Sequence, residues 1–219
     1  MPVLYKCNAS APSRIVLMTV EILGIGDKLE MRDINPMKGE NVTPEFLKIN
    51  HLHTVPVLVD EDLILTDSHV IATYLTMKYK TPKSEELYPT DIKLKHKVDQ
   101  MLYLESTLMT PKIIAVMNTL KKGEVAPTNE QVSALKETYG FLDKYLTNSP
   151  FLASTTMTLA DVACVSPLAS LNLFVSFDEF VNLSKWFKLL EKEDWFQKIN
   201  VPGVKLFGEY LKQFKLKRV

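Results

Sequence analysis

Three short stretches of the chain hold residue types that could do chemistry together. Ser10 stands between an apolar triplet, Val3-Leu4-Tyr5, and Pro12, a residue suited to the first position of a helix. A hydroxyl at such a point lies among unpaired backbone N–H groups at the positive end of a helix dipole, where an anion is favoured. It can donate to a bound thiolate. A thiol of pKa near 8.5 is only ~3 % ionised at pH 7, and lowering it by about two units takes ~2.7 kcal/mol. One charge-assisted hydrogen bond plus a helix terminus is of that size. The plainer alternative is that Ser10 only caps a helix. No histidine lies in this segment, so Ser10 is not placed as the nucleophile of a hydrolase triad.

The second stretch is His53-Thr54-Val55-Pro56-Val57-Leu58-Val59. Its β-branched run reads as a buried strand, and a proline at a strand's first residue is tolerated. A cis Val55–Pro56 bond would bend the chain and present the N–H and C=O of Val55 to an extended peptide, as in strand addition. His53 itself reads equally as a surface loop residue. The third stretch is Asp67-Ser68. A helix starting there would offer amides and a hydroxyl to a carboxylate, and Asp67 to an ammonium, which suits an α-amino-acid head group. A plain N-cap is the alternative. His51 and His53 have no third ligand nearby, and Cys7 and Cys164 form no metal or CxxC spacing, so no metal is expected.

The elements that must position these residues follow from periodicity. Val3–Tyr5, a helix after Pro12 with Ile15, Met18, Thr19 and Ile22 on one face, and a strand over 28–33 make a parallel β-α-β unit. A loop over 35–41, a helix opened by Thr43-Pro44, the hairpin of 57–59 and 63–65, and a helix over 69–79 with Val70, Tyr74 and Leu75 inward complete the unit. The fold class is α/β plus all-α: a mixed four-stranded sheet in residues 1–82, a polar linker over 83–89, and an all-helical region over 90–219. In that region Pro111 should interrupt a long helix over 107–111. Asn129 to Leu146 carries Val132, Leu135, Tyr139 and Leu142 on one stripe. Thr158-Leu159-Ala160-Asp161 opens a helix apolar nearly all round, which should be the region's centre.

Composition narrows the partners. The chain has 219 residues, 46 % hydrophobic and 24 % charged, which allows a proper core. Lys+Arg and Asp+Glu both number 26, so neither nucleic acid nor an anionic membrane is the expected partner. Two distant cysteines and an N-terminus without signal character read as a cytoplasmic protein. The uncharged run 162–177 is too short and too polar to span a bilayer.

A peptide-binding strand edge, an amino-acid site and a thiolate-stabilising helix start fit one ligand, glutathione. With Ser10-Ala11-Pro12-Ser13-Arg14, Asn50 through Leu58, Asp67 through Leu75, Leu87-Tyr88-Pro89 and Thr158 through Asp161, the chain resembles a cytosolic glutathione transferase of the insect delta/epsilon type, most like epsilon. The resemblance runs essentially end to end. It implies a thioredoxin-like N-terminal domain that binds glutathione and an all-helical domain that supplies a hydrophobic substrate pocket.

It implies Ser10 as the catalytic serine and a glutathione site of Ser10, Asn41, His53, Thr54, Val55, cis Pro56, Asp67, Ser68 and His69. The homodimer and Thr158/Asp161 as a folding-related capping box come from the same source. The implied activity is conjugation of the thiolate to hydrophobic electrophiles, with peroxidase or dehydrohalogenase side activity; the rival is a non-catalytic carrier of hydrophobic ligands. Helical spacing places Thr110, Ile113, Ile114, Met117 and Asn118 along the second pocket, with Pro12, Phe207 and Tyr210 beside them. An Ile/Met stripe is otherwise ordinary core. The chain departs from the epsilon pattern with Asn41 for His, Ala11 for Pro, Lys6 for Gly, Ile114 for a ligand-reaching Arg, and with Pro111.

Overall fold

A computed structural model of the chain describes residues 1–218; Val219 lies outside the described residues. Four short strands, β1 (Val3–Lys6), β2 (Glu30–Asp33), β3 (Val57–Asp60) and β4 (Leu63–Leu65), form one sheet in the order β2-β1-β3-β4. β1 pairs with β2 in parallel, Leu4 facing Met31. It pairs with β3 antiparallel, Leu4 facing Leu58. The parallel pair is joined by helix α1 (Ala11–Leu23), which Gly24 ends in the left-handed conformation at φ 64°. Helix α2 (Pro44–Ile49) starts on Thr43, whose hydroxyl accepts from the Phe46 N–H. Helix α3 (Ser68–Lys78) follows the hairpin. The mixed sheet and the helical remainder agree with the fold class read from the sequence.

Three details differ from the sequence reading. Glu30 rather than residue 28 begins β2, because Gly26–Lys28 winds into a 3₁₀ turn. On α3, Val70 points outward and is 48 % exposed, while Ile71, Ala72 and Leu75 are fully buried. The stretch expected as an irregular linker contains helix α4 (Pro82–Leu87), opened by Pro82 and a Thr81/Ser84 capping box.

The rest is helical: α5 (Ile92–Leu104), α6 (Thr110–Lys121), α7 (Asn129–Tyr145), α8 (Leu159–Leu171), α9 (Val181–Leu190) and α10 (Val201–Leu211). Between α5 and α6 the chain makes a π-helical turn over Glu105–Met109, and the Thr110 N–H bonds back to the Glu105 carbonyl. This turn is the form taken by the interruption expected near Pro111, which sits in the first turn of α6 where its missing N–H is harmless. All thirteen residues of α8 are buried, and α1 packs between α3 on one side and α8 on the other.

The start of α8 is fastened by one buried carboxylate. Asp161 accepts from the N–H groups of Leu152 and Thr158 and from Trp186 Nε1, each at 2.9 Å. Burial raises its pKa and these bonds pull it back down. Asp161→Ala removes the acceptor of these three donors and of the Thr158 hydroxyl, so unfolding free energy should fall by ~3–5 kcal/mol in chemical denaturation. A fall below ~1 kcal/mol, the ordinary value for a peripheral hydrogen bond, would contradict this role.

Candidate active site

The turn between β1 and α1 is tight: the Ser10 N–H bonds to the Cys7 carbonyl at 3.0 Å, and the Cys7 N–H to Ser13 Oγ at 3.2 Å. Ser10 is the N-cap, extended at φ −75° and ψ 123°, and its Oγ accepts from the Ser13 N–H over a long 3.4 Å. Among the described residues its hydroxyl proton has no acceptor. Ser10 is therefore a cap, as the plain alternative had it, and a donor still free toward the cleft. The two readings are compatible because capping uses a lone pair and leaves the proton.

The Val55–Pro56 bond is cis. Among the described residues the N–H and C=O of Val55 have no backbone partner, and the side chain is buried against Tyr5, Phe46 and Val57. The loop before it is held by Asn50, which is 1 % exposed. Asn50 Nδ2 donates to the Thr54 carbonyl at 3.0 Å and to Thr54 Oγ1 at 3.1 Å, and Oδ1 accepts from the Leu52 N–H at 3.0 Å. Asn41 Nδ2 donates to the His53 carbonyl at 2.6 Å, so one of its two N–H groups supports the loop. His53 is exposed and takes the left-handed conformation at φ 49°. Asn50 was missed in the sequence, although an asparagine ending a helix just before a turn is a recognisable Asx signal.

At the third stretch Asp67 caps α3, its Oδ1 accepting from the N–H groups of His69 at 2.9 Å and Val70 at 3.1 Å. Ser68 is the first residue of α3 and is buried. The His69 ring turns away toward the π-turn: Nε2 stands 3.0 Å from Glu105 Oε2, off line for a hydrogen bond, and the other oxygen of Glu105 accepts from the Thr110 hydroxyl at 2.5 Å. His69 thus faces Glu105 and the groove between α3 and α5, not the cleft at Ser10.

A cavity of about 340 Å³ opens beside Ser10. Ile113, Ile114, Met117 and Asn118 line it from α6, and Phe207 and Tyr210 from α10. Pro12 and Thr110, expected with them, do not line it. Pro12 is taken up in the first turn of α1 and the Thr110 hydroxyl is bound to Glu105. Sequence reasoning missed Cys7, Ala9, Pro36, Met37 and Lys121 on the wall. Lys121 was legible, one further turn along the 110-113-114-117-118 spacing. The lining includes one cation, Lys121, and no carboxylate. Four larger hollows, of about 480, 400, 490 and 370 Å³, lie elsewhere and touch neither Ser10 nor the cis-proline loop. No helix is long and apolar enough to cross a membrane, and no cluster of three potential metal ligands occurs among the described residues.

Comparison with known proteins agrees with this arrangement. Residues 4–83 match the glutathione S-transferase N-terminal domain, and residues 104–194 match its C-terminal domain. Glutathione S-transferase 1 of Manduca sexta is 38 % identical over 204 residues, 91 % of this chain and 92 % of that protein. The structure of an epsilon-class glutathione S-transferase from the housefly, Musca domestica, superposes with a TM-score of 0.92 at 30 % identity, covering 99 % of this chain and 100 % of the other. A glutathione transferase homologue from Drosophila mojavensis, solved with bound glutathione, superposes at 0.90 with 32 % identity over 100 % and 99 % of the two chains. Two family matches that together cover most of the chain, and relatives alike over nearly their whole length, settle the kinship: the chain belongs to the glutathione S-transferase family.

Proposed function

We propose that this transferase conjugates the glutathione thiolate to hydrophobic electrophiles. The single observation that carries the reading is the Ser10 hydroxyl, its proton unclaimed, standing at the N-terminus of α1 on the wall of an apolar cavity. Ser10 donates to the sulfur anion. Val55 pairs its free N–H and C=O with the cysteinyl backbone of glutathione, in the manner of an added strand. The Ser68 hydroxyl and N–H take the γ-glutamyl carboxylate, and Asp67 takes the ammonium through the oxygen that does not cap α3. His53, Thr54 and Asn41 form the loop nearest the glycyl carboxylate.

The thiolate then attacks an electrophilic carbon held against Ile113, Ile114 and Phe207. The sulfur–carbon bond forms as a leaving group departs with its electron pair, or as a proton reaches the neighbouring carbon of an activated alkene. Holding the two reactants together adds to thiolate stabilisation. The same thiolate, with a second glutathione to close the disulfide, would reduce organic hydroperoxides, and it could promote loss of hydrogen halide. A detoxifying role in the cytoplasm fits these chemistries and the two free cysteines. The likeness to the housefly enzyme favours the epsilon class. Domain boundaries at residues 82 and 90 place α4 as the connection between glutathione site and pocket.

We also propose a homodimer through α3 and α5. Val70 is 48 % and Tyr103 73 % exposed, and both line a groove of about 400 Å³ between those helices, so a second copy would bury an apolar stripe that water now covers. Light scattering should give twice 24.9 kDa for the wild type and the single mass for Tyr103→Glu. A wild-type monomer would contradict the assembly.

Conjugation of glutathione to an aryl halide tests the activity. Ser10→Ala should lower kcat/KM by ~10–100-fold at neutral pH, with less loss as pH rises and ionisation no longer needs the hydroxyl. Unchanged turnover would remove Ser10 from the role. Tight glutathione binding by the wild type without turnover would favour the carrier.

A further inference from the structure

One turn into α1, Arg14 is fully buried and paired with no carboxylate among the described residues. Neutral oxygens alone hold its guanidinium. Nη1 donates to the Ala9 carbonyl at 2.9 Å. Nη2 donates to the Ser166 carbonyl at 3.0 Å and to Ser170 Oγ at 2.6 Å, and Nε donates to Asn200 Oδ1 at 2.8 Å. Burial pulls its pKa down to about 9, so it is still a cation at neutral pH. Room for it has been cleared on α10: a Cβ at Gly203 would lie 2.3 Å from Arg14 Cδ and 2.4 Å from the Asn8 carbonyl.

An unpaired buried charge is among the costliest features a core can hold. Asparagine at 200 aggravates it. Its Nδ2 is buried without a partner, and an aspartate of the same shape would remove that orphan and neutralise the guanidinium at once. If Arg14 served only to pin α1 against α8 and α10, the acid would serve better. What the amide preserves is a net positive charge directly beneath the Ala9–Ser10 turn. The elements packed on Arg14 contribute Ser166 and Ser170 from α8, Asn200 from a second π-helical turn over Phe196–Asn200, and Gly203 from α10, all neutral. The Cys7 thiol is the one titratable group that acts on it.

We propose that Arg14 is a positioning residue whose charge, left uncompensated because residue 200 is an amide, favours the ionised form of the glutathione sulfur held at Ser10. This rests on the conjugation chemistry set out above. At on the order of 10 Å and an effective dielectric of ~20, one charge shifts a neighbouring titration by about one unit. The helix dipole, the Ser10 hydroxyl and Arg14 then act on the same atom from different directions. Lys121, Cys7 and Tyr210 also face the cleft. They are common to the variants below, so differences between variants report the buried charge.

The test is Asn200→Asp, read in two ways. Thiolate absorbance in the ultraviolet, as the difference with and without glutathione, gives the thiol pKa of the bound ligand; the pH profile of kcat/KM for an aryl halide gives it independently. The substitution should raise that pKa by about one unit, about a tenfold loss of thiolate below it, while raising the melting temperature by ~2–4 °C or more. Higher stability with weaker ionisation separates the effect from structural damage. Arg14→Gln should raise the thiol pKa by a similar amount, with a lower melting temperature, and either variant that folds suffices. An unchanged thiol pKa in a folded variant would overturn the proposal and leave Arg14 a structural pin. A wild-type protein that does not lower the thiol pKa of glutathione at all would instead overturn the conjugation chemistry itself.

Discussion

The N-terminus of α1 is the fixed point of the molecule. α1 is sandwiched between α3 and α8, its residues from Ile15 to Val20 almost wholly removed from water, so it cannot tilt or slide without opening both interfaces. Ser166 Oγ on α8 donates to the Ala11 carbonyl at 2.7 Å, and Arg14 ties the same turn to the segment at Asn200. Electrostatic stabilisation of an anion works only if the donors are already aimed at it and need not reorganise. The double packing of α1 supplies that rigidity, and the free Ser10 proton gives it direction.

The second requirement is that the apolar half of the cleft come from the other region of the chain. The cavity wall on α6 depends on where α6 points, and that is set by the π-turn at Glu105–Met109 and by Pro111 at its start. The buried Glu105 carboxylate sits in this turn, taking the Thr110 hydroxyl from one side and standing against His69 from the other. The bend between α5 and α6 is thereby joined to the first turn of α3, next to the expected γ-glutamyl site. The cavity wall carries no carboxylate and a single lysine at its end, so it suits an apolar ligand and not a cationic one.

Much of this was legible in the sequence because its signals are local. Caps and turn residues marked the starts of α1, α2, α3 and α8, and the alternating and β-branched runs marked the strands. The face of α3 was not legible. Val70, Ile71, Leu75 and Met77 are apolar around most of the helix, so periodicity cannot choose a side, and packing on α1 chose Ile71 and Leu75 over Val70. Helix α4 was hidden because its six residues, Pro82 to Leu87, are mostly polar and lack a stripe. At the site, Ser10, Val55 and Asp67 are marked by neighbours in the chain. Asn50 had a local signal too, its partners being Leu52 and Thr54; Asn200 and the bond from Thr110 to Glu105 are decided by a partner distant in sequence and by the irregular turn, and no local pattern carries them.

The central claim is that glutathione lies along the edge beside the cis proline with its sulfur at the start of α1. A crystal structure of the complex tests it most directly. The account predicts the sulfur within hydrogen-bonding reach of Ser10 Oγ and the cysteinyl N–H and C=O paired to the backbone of Val55. Glutathione bound elsewhere, or a sulfur turned away from Ser10 toward solvent, would contradict it.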